Sequence, residues 1–158
     1  MNANRAKPEH AAGKLELTLQ KAVNSPGLPG SAELHRWLVA ALAQSAAITV
    51  RFVGLAEGRR LNRAFRDRDY ATNVLSFGYG KPGRGKALSG DIVLCAPVVR
   101  REARAQGKTL AAHIAHLHLR HLQYAFDHLQ RFGVEQIALI GRVQQFDQLL
   151  AVFGLAHD

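Results

Sequence analysis

One cysteine stands in a chain of 158 residues, so no intrachain disulfide can form and a reducing compartment suits the protein. That residue, Cys95, lies in the apolar run I-V-L-C-A, where a buried and inert thiol is expected. Long hydrophobic runs are also missing. None approaches the about 18 apolar residues that a membrane span needs, and the first ten residues lack the apolar core of a secretory signal. A cytoplasmic protein without a membrane anchor is the expectation. H-E-x-x-H is absent, which argues against a zinc protease with a glutamate base, and no G-x-S-x-G elbow occurs. The glycine-rich stretch G-K-P-G-R-G-K at 80–86 lacks P-loop spacing and is not followed by a helix pattern, so it reads as a basic hairpin loop. Acidic residues are few, 12 against 21 Lys and Arg, giving a formal charge of +9. Such an excess favours polyanions, above all nucleic acid, through steering and counterion release. Basic residues thicken from Arg51 to Arg68 and from Lys81 to Lys108 without forming a tail-like arm, so any binding surface must be assembled by folding.

Length predicts one domain over 14–158, preceded by a disordered tail at 1–13. Leu15, Leu17 and Leu19 alternate with polar residues, which predicts a half-buried strand. After the N-S-P-G-L-P-G loop, Ser31 is placed to cap a helix whose Leu34, Trp37, Leu38, Ala41 and Leu42 share one face. I-T-V-R-F-V-G at 48–54 and T-N-V-L-S-F-G-Y at 72–79 read as strands, with a short helix through Leu61 and Phe65 to Arg66 between them. G-D-I-V-L-C-A at 90–96 is a nearly continuous apolar strand, hence central. Pro97 suits the first turn of a helix that Gly107 stops. A further helix should begin near Thr109, and the apolar spacing at 135–153 predicts another. Strands separated by helices imply an α/β fold, a mixed sheet covered by helices.

The densest chemistry lies between His113 and His128, H-I-A-H-L-H-L-R-H-L-Q-Y-A-F-D-H, with five histidines in sixteen residues. Imidazole is the commonest metal ligand. The competing explanation for such side chains is a polar helix face with satisfied core partners.

D-Y-A-T-N-V-L-S-F, then G-D-I-V-L-C-A-P-V-V-x-x-E-A-x-x-Q-G-K, then the histidine-rich helix ending in F-D-H, resembles the YbeY family from about Leu15 to His128. The resemblance implies an α/β sandwich with a four-stranded sheet and about five helices. It implies a metal-dependent, single-strand-specific endoribonuclease of ribosomal RNA maturation, acting at the 16S 3′ end and in ribosome quality control. Its expected partners are RNA and the small ribosomal subunit. Arg66 matches the arginine that the family uses in RNA cleavage. The family's motif H-G-x-L-H-L-x-G-x-D-H holds one divalent metal, usually zinc, with histidines at i, i+4 and i+10. Here His118 and His128 match the first and third, but the middle position is Leu122, and no two of the five histidines are four apart. A different alignment pairs A-A-H-I-A-H-L with the segment upstream of the motif and needs a two-residue deletion.

On a regular helix His118 and His121 project about 60° apart and one turn apart, compatible with one ion. With His128 returning from beyond the helix they make a three-imidazole set with an open position. His116 projects about 160° from His118 and cannot share its site. Asp127 is a candidate acceptor for a ligand's other N–H. Lys81, Arg84 and Lys86 are candidate RNA-backbone contacts. Two alternatives stand beside the nuclease: an RNA- or ribosome-binding relative with an incomplete metal site, and an interaction protein that dimerises through the apolar helix at 135–153.

Overall fold

The structure is a computed structural model, and it describes residues 13–42, 44–79, 87–117 and 120. The expected tail at 1–13, apart from Gly13, the loop at 80–86 and the helix at 135–153 lie outside the described residues. Among the described residues four strands form one sheet in the order β1-β2-β4-β3: β1 (Leu15–Lys21), β2 (Ala46–Val53), β3 (Val74–Tyr79) and β4 (Leu88–Cys95). β1, β2 and β4 run parallel, and β3 pairs antiparallel with β4 at one edge. β4 is therefore an interior strand, which is why its side chains are apolar on both faces towards its end.

Among the described residues four helical segments cover the sheet: α1 (Ser31–Ala41), α2 (Leu55–Arg66), α3 (Ala96–Ala105) and α4, whose described turns are 110–117. The four-stranded mixed α/β fold expected from the sequence is present, with these helices among the described residues. Alternation in the strands sorts the core into two layers. Ile48, Val50 and Phe52 of β2 join Ile92 and Leu94 of β4 on one face, under Leu34 and Leu38 of α1 and Ile114 and Leu117 of α4. Val53, Leu75, Phe77, Val93 and Cys95 make the other face, against Leu61 of α2. α3 serves both layers, Val99 packing into the first and Val98 into the second.

Local chemistry accounts for the helix ends. Gly30, not Ser31, is the N-cap of α1, and its N–H donates to the Glu33 carboxylate at 3.4 Å. Ser31 sits in the first helical turn instead, because Glu33 captures the backbone N–H from inside the helix. Pro97 occupies the first turn of α3, and Gly107 follows at φ +63°, the left-handed geometry that ends a helix without a Cβ clash. Thr109 caps α4, its Oγ1 accepting the Ala112 N–H at 3.2 Å.

Candidate functional site

α2 carries the first of the candidate residues, and both its ends are pinned. Near its start, Glu57 accepts two hydrogen bonds from Arg51 of β2, at 2.9 and 3.2 Å, while Gln20 of β1 accepts a third at 3.1 Å. A bidentate guanidinium–carboxylate pair fixes orientation as well as distance. At its other end Asp67 takes a left-handed conformation, φ 54° and ψ 39°, and its N–H returns to the Arg63 carbonyl at 3.0 Å. Asp tolerates that region better than most L residues. The chain then turns through Arg68 to Tyr70, where Asp69 accepts two hydrogen bonds from Arg59 at 2.8 and 2.7 Å. Arg59 holds the exposed Asp69 carboxyl below its ordinary range through that hydrogen bond.

Arg66 closes α2 and is half-buried. Its Nη1 donates to Asn62 Oδ1 at 3.1 Å, one helical turn back. Asn62 is fully buried, and its Nδ2 donates to the Tyr70 carbonyl at 2.7 Å. One amide therefore orients the arginine and staples the loop after the helix. Arg66 Nε is buried and has no hydrogen-bond partner. Desolvation draws the Arg66 pKa down from its ordinary value, with smaller opposing and reinforcing effects from Tyr70 and Arg68. A guanidinium stays protonated in proteins. The outcome is a partly desolvated, oriented cation whose electrostatic reach exceeds that of a solvated one.

A second network leads to the histidines. Asn73, at the entry to β3, accepts the Val74 N–H at 2.7 Å and donates to both oxygens of Glu102 on α3, each at 3.2 Å. Glu102 Oε2 lies 3.0 Å from His113 Nε2 on α4. His113 is buried, and its Nδ1 has no partner. Three polar side chains thereby lock β3, α3 and α4 together. On the next turn Arg120 Nη1 donates to His116 Nε2 at 3.2 Å, so that nitrogen is an acceptor.

The structure thus brings Arg66 to a defined position and assigns His113 to the core, as the competing explanation for the histidines had it. His118, His121, His128, Asp127, Lys81, Arg84 and Lys86 lie outside the described residues. Among the described residues no cluster of three or more His, Cys, Asp or Glu side chains converges as a metal site would. Cys95 is buried, as expected for an inert thiol, and burial raises its pKa. Sequence alone assigns no individual role to Asn62, Asn73 or Glu102. Asn62 left a signal: it falls on the inward stripe of α2 with Gly58 and Leu61, where a polar residue needs an internal partner.

The family model described as endoribonuclease YbeY matches residues 31–131. Endoribonuclease YbeY of Aromatoleum aromaticum is 54% identical over 129 residues, spanning 78% of this chain and 81% of the relative. Endoribonuclease YbeY of Thiobacillus denitrificans is 46% identical over 129 residues, spanning 80% of this chain and 86% of the relative.

Proposed function

The chain belongs to the endoribonuclease YbeY family, and from that premise we propose that it is a metal-dependent endoribonuclease that cuts single-stranded RNA, with Arg66 as its phosphate-binding residue. The observation that carries this is the way Asn62 holds the arginine. One of its five N–H donors goes to Asn62, which sets the plane of the guanidinium. The remaining Nη donors suit bidentate contact with a phosphate. As negative charge builds on the phosphoryl oxygens, a fixed and partly desolvated cation stabilises it with little reorganisation. The excess of basic residues supports an RNA substrate through steering. Ribosomal RNA of the small subunit, at its 3′ end, is the substrate we propose.

One divalent ion, most simply zinc, would be held by His118, His121 and His128, with Asp127 accepting a ligand N–H. Three imidazoles are a fitting donor set for that ion. The described residues support drawing the ligands from beyond residue 117, because His113 Nε2 is taken by Glu102 and His116 Nε2 by Arg120. When bound, such an ion supplies Lewis acidity towards a phosphoryl oxygen and towards water. α4, locked through His113 to Glu102 and Asn73, carries the chain into those histidines from a rigid base. Lys81, Arg84 and Lys86, which follow β3 in the chain, are the further contacts we propose for the RNA backbone.

The test is Arg66→Ala, assayed on a single-stranded oligoribonucleotide beside a duplex, with metal content measured on protein purified without a histidine tag. Cleavage should fall about 100- to 1,000-fold, the size of a lost transition-state donor, while metal content and folding persist. Unchanged cleavage would remove Arg66 from the mechanism, and intact RNA binding without metal or cleavage in the parent protein would overturn the nuclease proposal.

A further inference from the structure

The inward stripe of α2 runs Gly58, Leu61, Asn62, Phe65, spaced as residues on one helix face must be. Gly58 and Asn62 are buried, and Leu61 packs against the second core layer. Phe65 continues the stripe but is 47% exposed. Its ring does not dangle. It meets Phe77 of β3 edge to face, with ring centroids 4.9 Å apart and planes at 67°. Phe77 itself is only 8% exposed, so it is a firm support. One side of Phe65 is therefore braced and the other is open to solvent.

Two features beside the ring say what would cover it. Along β3, Tyr79 shares the face of Phe77, two residues on, and is also 47% exposed. Its hydroxyl is held, donating to Asp91 at 2.7 Å, so the phenol ring is steady as well. Phe65, Phe77 and Tyr79 thus make a short aromatic strip with open rings at each end. Around the same last turn of α2 sit Arg63 and Arg66, with Arg68 just beyond. A protein partner would need roughly 800 Å² on each side, far more than one half-open ring supplies. Braced aromatic rings beside an oriented guanidinium, here Arg66, with further arginines close by in the chain, are instead the pattern on which single-stranded nucleic acid binds: bases stack and phosphates pair. A duplex keeps its bases stacked on one another and offers no free face to such a ring.

We infer that Phe65 is the stacking platform for one unpaired nucleobase of the RNA strand, next to the phosphate that Arg66 holds. This rests on the endoribonuclease proposal and deepens it, because it locates the preference for single-stranded RNA in a named side chain. The ring is pre-positioned by Phe77, so stacking orders no loop and costs little entropy.

The experiment combines Phe65 variants with an abasic scan. A short single-stranded oligoribonucleotide is compared with versions lacking one nucleobase at a time, and KM for cleavage is measured with Kd by fluorescence anisotropy. The parent protein should lose about 5- to 100-fold in affinity at one abasic position, the size of one base–aromatic stack. Phe65→Leu keeps an apolar contact with Phe77 but has no π face. It should lose the same factor on the intact strand and lose nothing further at that abasic position. Phe65→Tyr and Phe65→Trp should restore binding. Equal affinity of Phe65→Leu and parent on the intact strand would overturn the inference. So would losses in Phe65→Leu that are the same at every abasic position, or failure of both aromatic variants to rescue. If the parent binds RNA but cuts none, the nuclease proposal fails separately, and the anisotropy scan still decides the platform.

Discussion

Asn62→Ala is the most informative perturbation of the site, because the amide does two jobs at once. Its Nδ2 holds the Tyr70 carbonyl at 2.7 Å and its Oδ1 holds Arg66 at 3.1 Å, and the residue is fully buried. Truncation leaves the Tyr70 carbonyl without its donor, a penalty of about 1–3 kcal/mol, and opens a small void beside α2. Together these should cost about 2–4 kcal/mol. For a chain of this size that lowers Tm by about 4–16 °C, read by thermal melting and urea unfolding. Cleavage should fall by about 10- to 100-fold in kcat, because the guanidinium loses its fixed plane and small misplacements are costly. Two companion variants separate the jobs. Asn62→Asp keeps an acceptor for Arg66 but sets an oxygen against the Tyr70 carbonyl, so stability should drop while more cleavage survives. In an Arg66→Ala background, Asn62→Ala should still destabilise but should no longer affect cleavage, since coupled residues are non-additive. Stability of Asn62→Ala within about 0.5 kcal/mol of the parent, the scatter of neutral surface changes, would refute the structural half. An equal loss of cleavage in the Arg66→Ala background would refute the positioning half.

Two further outcomes follow from other parts of the fold. Gly90→Ala should destabilise the protein by at least about 1–3 kcal/mol, because a Cβ there would stand 2.5 Å from the Phe77 carbonyl oxygen in the paired strand; wild-type urea stability would contradict that. The Asp91 hydrogen bond, helped by burial, pushes the Tyr79 pKa up to about 12. The folded state therefore prefers the neutral phenol, so this contribution is present below the ordinary tyrosine pKa and is lost as pH rises through about 10 to 12. Titration by phenolate absorbance should show a late step that Tyr79→Phe deletes; a Tyr79→Phe variant that keeps the whole late step would refute it.

Much of this protein was legible in its sequence, because the signals there are local. Alternation in I-T-V-R-F-V and the apolar run I-V-L-C-A determined strands, and the second also its interior place, since only a strand covered on both faces needs apolar residues at both parities. Pro97, Gly107 and Thr109 marked helix ends through their own backbone chemistry, and the motif around T-N-V-L-S-F pointed to the family and to Arg66. What the sequence could not decide was which polar groups meet. Ser31 looked like a cap only because Glu33's reach back to the Gly30 N–H depends on three-dimensional approach. Spacing along the chain does not tell a ligand histidine from one with a core partner. Only the meeting of α4 with α3 put Glu102 at 3.0 Å from His113 and made that imidazole part of the core. Likewise Phe65 and Phe77 are twelve positions apart, and no spacing rule says that one ring would brace the other. Propensity and periodicity act within a few residues of each other, whereas a buried polar network or an open aromatic face exists only once distant segments have packed.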